Sequence, residues 1–213
     1  MYKNIYRKIK KNGGLTLVEL MVVISIFLVI SGVAIFDYGG FRSTVSLQNI
    51  TDDIALSIRK AQGFAIGARA VSSNFYNSYG MHFSTNNSVD PLVASNKSFL
   101  MFWATQTTKR YVTGVGTCGD NTNNKCLELF NITSADIVKE IKLDGVTQPS
   151  TSYLDIIFTR PDPRASFCYR TNVNSPCDPT VISNVSVTIS NGQSTNEKTK
   201  TISVQNTGQI SIQ

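Results

Sequence analysis

The chain has 213 residues, enough for one domain of ordinary size with an appendage and too few for two full domains. Its net charge of +6 points to nucleic acid only until the charges are located. Lys3, Arg7, Lys8, Lys10 and Lys11 supply +5 before residue 15, and the rest of the chain carries 15 basic and 14 acidic residues. The excess belongs to a short leader, which excludes a generally basic binding surface.

Residues 1–14 form that leader, and it ends at Gly13-Gly14. Leu15–Phe36 follows, 22 residues of which only Thr16, Glu19, Ser25, Ser31 and Gly32 are not apolar. As a helix this length crosses a hydrocarbon core of about 30 Å. A secretory signal peptide also has a basic start and an apolar core, but its apolar core is only about 7–15 residues long and ends in a small-x-small cleavage site. This run is longer and lacks that site. With the leader charges on its N-terminal side, the span is oriented with the leader in the cytoplasm and the bulk of the chain outside.

The junction carries the most specific signal. Gly14 presents an unobstructed backbone, and Glu19 is the fifth residue counted from Leu15. Cutting the Gly14–Leu15 bond would place a new α-amino group one helical turn from a carboxylate. An acid inside an apolar span costs roughly 2.5–3.5 kcal/mol and needs a partner or a neutral form. Leader, glycine, cut site and acid together resemble those of the type IV prepilin family. The resemblance implies cleavage between Gly14 and Leu15 by a membrane aspartic peptidase, the prepilin peptidase, with N-methylation of Leu15. It also implies pairing of Glu19 with the Leu15 ammonium of a neighbouring subunit in a filament. Leu stands at position 15 where the family favours Phe, and Phe36 stands where major pilins carry a proline, which leans the reading to a minor subunit.

Asp37-Tyr38-Gly39-Gly40 interrupts the helical pattern and predicts a bend or soft joint. Leu47, Ile50, Ile54, Ile58, Ala61, Ala65 and Ala68 then step by three or four, predicting an amphipathic helix over 41–70. From Val71 the pattern becomes short β runs between polar turns. Strands are expected at 79–83, 99–104, 110–113, 127–130, 137–143, 153–159, 166–170, 185–189, 201–205 and 209–212. The last two flank the turn signal Asn206-Thr207-Gly208. The fold class is therefore α+β, a long N-terminal helix with a membrane-spanning first half and an amphipathic second half, followed by a β-rich antiparallel head. Its segments are 1–14, 15–36, 37–70 and 71–213. The runs around Asp52–Gln62, Tyr79–Phe83 and Thr201–Ile212 resemble the minor pilin and pseudopilin branch called GspH/FimT.

Cys118, Cys126, Cys168 and Cys177 all lie in the exported part, and no C-x-x-C spacing occurs. Disulfides are expected rather than metal, with the local pairings Cys118–Cys126 and Cys168–Cys177 favoured because each brackets a polar loop. Asp120–Asn124 faintly resembles a calcium loop but lacks the sixth-position Gly and the distal Glu. His82, the only histidine, has no acid or cysteine cluster near it in sequence and reads as structural. Arg160, Arg164 and Arg170, with Tyr169 among them, are the one basic group of the head with an aromatic and offer a possible DNA contact.

No nucleophile, base or paired-carboxylate pattern emerges, so no catalytic residue, cofactor or metal is expected, and the chain reads as an enzyme's substrate rather than an enzyme. The reading is a minor pilin or pseudopilin of a type IV pilus or a type II secretion pseudopilus. Its expected partners are prepilin peptidase, other pilins, an inner-membrane assembly platform and, before assembly, membrane lipid. The expected location is the inner membrane as a single pass, with the N-terminus cytoplasmic and the head periplasmic or extracellular. The alternative is a binding module at a pilus tip, for DNA uptake or surface adhesion.

Overall fold

A computed structural model describes residues 14–67, 78–85, 92–93, 95–105, 108–112, 118–119, 125–149, 152–172, 175–178 and 180–213, apart from the side chains of 34 and 36–38. The chain divides into two compact units, Met1–Arg42 and Ser43–Gln213.

Helix α1 (Leu17–Ile66) is one element of 50 residues. It begins after Thr16, whose Oγ1 accepts the Glu19 backbone N–H at 3.3 Å while its carbonyl accepts the Leu20 N–H at 3.1 Å. Thr16 is thus the N-cap, and Thr16-x-x-Glu19 has the spacing of a capping box, with the acid at the positive end of the helix dipole. The expected joint is not a break in secondary structure, since helix runs through Gly39-Gly40. Two glycines cost about 2 kcal/mol, less than renucleating a helix and finding partners for the backbone groups that a break would orphan. The predicted helix of 41–70 is accordingly the second part of α1. Its described end is Ile66, and Ala68–Ala70 lie outside the described residues.

In the first unit the apolar side chains from Leu15 to Ile30 are exposed on every face of the helix in the isolated chain. Among the described residues no helix is long and apolar enough to cross a membrane. The uninterrupted stretch with described side chains stops at Val33, whereas the apolar run of the sequence continues to Phe36.

In the second unit two five-stranded antiparallel sheets share one core with α1. Sheet 1 contains β1 (Ser78–Ser84), β2 (Ser98–Ala104), β3 (Cys126–Asn131), β6 (Tyr153–Thr159) and β7 (Asp162–Arg170), in the order β3-β2-β1-β6-β7. Sheet 2 contains β4 (Ile137–Leu143), β5 (Val146–Thr147), β8 (Asn184–Ser190), β9 (Thr199–Gln205) and β10 (Ile210–Ile212), in the order β10-β9-β8-β4-β5. The helical stripe Leu47, Ile54, Ile58, Ala61 and Ala65 packs with Tyr79, Met81 and Phe83 of β1, Leu154, Ile156 and Phe158 of β6, and Val185, Val187 and Ile189 of β8. Burying each large aliphatic side chain contributes about 1.5–3 kcal/mol.

Period-two alternation decides the faces. On β8 the valines and Ile189 point inward, while Ser186 and Thr188 point outward and meet Ser203 and Thr201 of β9 hydroxyl to hydroxyl at 3.1 and 3.2 Å. Sheet 1 differs in having a second core on its other face. Leu100, Phe102, Ala104, Cys126, Ile157 and Cys168 lie there with Val93 and Tyr111, and nothing polar-out marks these strands in sequence.

The strand predictions hold apart from three details. Arg110–Val112 forms no strand and belongs to a segment covering the second core, while Thr113 lies outside the described residues. The strand expected at 166–170 starts earlier, at Asp162. The two-residue β5 follows a turn in which Asp144 and Gly145 both have positive φ, 46° and 84°. The Asp144 carboxylate fixes that turn by accepting the backbone N–H groups of Ser183 and Asn184.

Candidate functional site

The N-terminal site is assembled by the start of α1. Gly14 lies before the helix in extended or irregular chain, and a Cβ built on it meets nothing within 4 Å. The tolerance for a side chain in the free chain means that a requirement for glycine here would come from a binding cleft and not from folding. Leu15 is 70% exposed and precedes the N-cap. Glu19 is exposed in the first turn. The structure thus gives Glu19 a local role, at the third helical position after the cap, that the sequence reading overlooked although the T-x-x-E spacing signals it. Ser25 Oγ donates to the Val22 carbonyl at 2.8 Å, so its hydroxyl is satisfied within the helix and suits an apolar surrounding.

With this geometry in place, the comparison with known families is decisive at one end of the chain. A family model for the prokaryotic N-terminal methylation motif matches residues 9–35. The chain therefore carries a type IV prepilin leader motif, and the matched segment includes Gly14, Leu15 and Glu19. No curated protein and no solved structure matches the chain. The motif fits membrane anchoring and a route into pilus assembly with other pilins.

The head holds a second polar centre, on the outer face of sheet 1. His82 and Asp155 are directly opposite each other on β1 and β6, and their side chains meet, Nδ1 to Oδ1, at 2.5 Å. Asp155 Oδ2 accepts from Arg170 Nη2 at 2.8 Å and from the backbone N–H of Tyr111 at 2.9 Å. Arg170 Nη1 donates to the Tyr111 carbonyl at 3.2 Å, so the pair grips both backbone groups of one residue. All three side chains are buried, and the Tyr111 ring lies 4.7 Å from that of His82. A buried carboxylate requires such satisfaction, because removing a charge from water costs several kcal/mol. The partners are 44 and 73 residues apart from one another in sequence, so only strand register reveals them.

Both disulfides are present, Cys118–Cys126 and Cys168–Cys177, the local pairings favoured from the sequence. The arginine group is not a surface cluster. Arg170 is 2% exposed and committed to Asp155, which rules it out as a phosphate contact. Arg164 is exposed but bonds Asp162 at 2.7 Å, and Arg160 is exposed in the turn ahead of Pro161. A different set of cations does converge. Lys125 is held below the ordinary lysine range, first by partial burial and then by the nearby Arg110. Its ammonium lies over the Trp103 ring at 5.9 Å and donates to Thr108 Oγ1, beside exposed Lys109. The Asp120–Asn124 loop lies outside the described residues, and among the described residues no group of three or more His, Cys, Asp or Glu could hold a metal ion.

Proposed function

We propose that the chain is a minor subunit of a type IV pilus or a type II secretion pseudopilus, made as a prepilin of the GspH/FimT kind. The peptidase cuts between Gly14 and Leu15 and the new Leu15 amine is methylated. Leu15–Phe36 anchors the subunit in the inner membrane with the head on the outer side, and the same helix later packs among other pilins on an assembly platform. The supporting observation is the coincidence of the matched motif, the glycine and the helix start at one place. A helix apolar on every face is stable only in lipid or among other helices, which fits both stages. Glu19 would pair with a neighbour's Leu15 ammonium, so that two desolvation penalties are offset together. On this reading the protein is processed by an enzyme and is not one.

Co-expression with a prepilin peptidase should shorten the chain by the 14 residues up to Gly14 and expose Leu15, while Gly14→Glu should remain full length. N-terminal sequencing that found another start, or normal cleavage of the variant, would reject the assignment.

A second reading, an anion-binding head such as a pilus-tip module for DNA, is favoured by Lys109, Arg110 and Lys125, which make no ion pair within the described residues. If it is right, a gel shift of DNA should weaken steeply with salt and disappear when these three become glutamine.

A further inference from the structure

Sheet 1 is closed on its outer face by segments that are neither strand nor helix, and their attachments form a pattern. The two edge strands of the sheet, β3 and β7, each carry a fully buried cysteine, Cys126 and Cys168. Each is bonded to a half-exposed cysteine in the cover, Cys118 beyond one edge and Cys177 beyond the other. Between the edges, the Asp155–Arg170 pair holds the cover by the Tyr111 backbone. Arg110 donates to the Ser175 carbonyl, which ties the two parts of the cover to each other. The inner core around α1 uses none of these attachments.

We propose that the cover over the outer face of sheet 1 is an oxidation-locked closure, which opens as a unit when Cys118–Cys126 and Cys168–Cys177 are reduced while the core shared by α1 and both sheets stays folded. Each lock closes when two thiols form one disulfide and pass two electrons and two protons to an external disulfide, which leaves as a dithiol. A covering segment of irregular backbone has few hydrogen bonds of its own, so its order depends on cross-links and on the central ion pair. Once the cover lifts, water reaches Asp155 and Arg170, and hydrating two charges favours the open form. The inference goes beyond the proposed function but takes its biological timing from it. In a reducing cytoplasm the head would stay incompletely closed and fit for export, and it would close on the oxidising side of the membrane.

The test uses the full chain in detergent, fully oxidised or reduced by dithiothreitol, with four thiols verified by alkylation and mass. Hydrogen–deuterium exchange is followed on peptides covering 108–112 and 184–190. Reduction should speed exchange at 108–112 about 100-fold and leave 184–190 unchanged, and reoxidation with oxidised glutathione should restore protection. The pairs Cys118→Ser with Cys126→Ala and Cys168→Ala with Cys177→Ser should each give part of the effect without reductant. Equal protection of 108–112 in both redox states would overturn the proposal, and so would simultaneous loss at both peptides, which would mean one cooperative unit. Neither outcome bears on cleavage at Gly14, so the failure of this inference is distinguishable from failure of the proposed function.

Discussion

Single residues in the head are committed to positions where their chemistry has no substitute. Asp155 is the clearest, a buried carboxylate that receives from Arg170 and Tyr111 and meets His82. Asp155→Asn should lower the unfolding free energy by about 3–5 kcal/mol in urea titrations, because it leaves the Arg170 charge buried and unbalanced. Combining it with Arg170→Met should recover part of that loss, since the charge is then gone too. Gly208 is constrained by space and by backbone together. Its φ is +87°, and a Cβ there would lie 2.3 Å from the Pro163 carbonyl oxygen and 2.7 Å from Gln62 Nε2. Gln62 is the α1 side chain that bonds Pro163 and Gly208 carbonyls at once, so Gly208→Ala should destabilise by about 1–3 kcal/mol and lower the thermal midpoint. The turn itself was readable as Asn-Thr-Gly. The crowding was not, because Pro163 arrives from 45 residues away.

At the scale of elements, α1 shows how backbone cooperativity overrides a local signal. The glycine pair was expected to mark a joint, yet the helix continues through it, and a Cβ at either glycine meets nothing within 4 Å. Gly39→Ala and Gly40→Ala should therefore each stabilise the helix by about 1 kcal/mol, raising helical signal in circular dichroism of the chain in detergent. Ile58 tests the other half of the helix. It is fully buried among both sheets, and Ile58→Ala should cost about 2–5 kcal/mol in denaturant. The stripe Leu47 to Ala65 was legible because helical period survives in one sequence window. Nine of the expected strands were legible for the same reason, through alternation or apolar runs between turn residues. Arg110–Thr113 has the composition of a strand, but the described part of it, Arg110–Val112, is used as a cover, with Tyr111 pinned by a charge pair that no local pattern encodes. The prepilin junction was legible because it is contiguous, whereas the polar centre depends on register between distant strands.

For the molecule as a whole, pH acts through few groups and with opposite signs. The Glu197 carboxyl is held below its ordinary range, first by the hydrogen bond from Lys139 and then by that from Ser190. Asp162 is lowered by bonds from Arg164 and Asp178 by bonds from Thr180. A lowered acid contributes stability above its unfolded-state pKa and loses it as pH falls through the folded value. The thermal midpoint should therefore decline on acidification below the ordinary carboxylate range, modestly because these groups are at the surface. Lys139 is raised, first by its bond to Glu197, so its contribution is complete below the ordinary lysine pKa and fades as pH rises through the raised one. Lys125 is lowered, and its penalty is relieved as pH rises through its folded value, which predicts a small gain on the alkaline side before the Lys139 loss. A midpoint series from pH 3 to 11 would expose both trends, and Lys125→Met should abolish only the alkaline gain. The free ends of the sheets carry a further consequence. Sheet 2 terminates in β5, two residues, and β10, three residues, so each edge offers only a few open backbone groups. Sheet 1 ends in longer strands, but a register shift between Met101 and Phe102 disturbs the β2–β3 ladder and another disturbs β6–β7 at Phe158 and Thr159. Such edges are poor templates for strand addition by another chain, so heads crowded side by side should resist amyloid-like stacking.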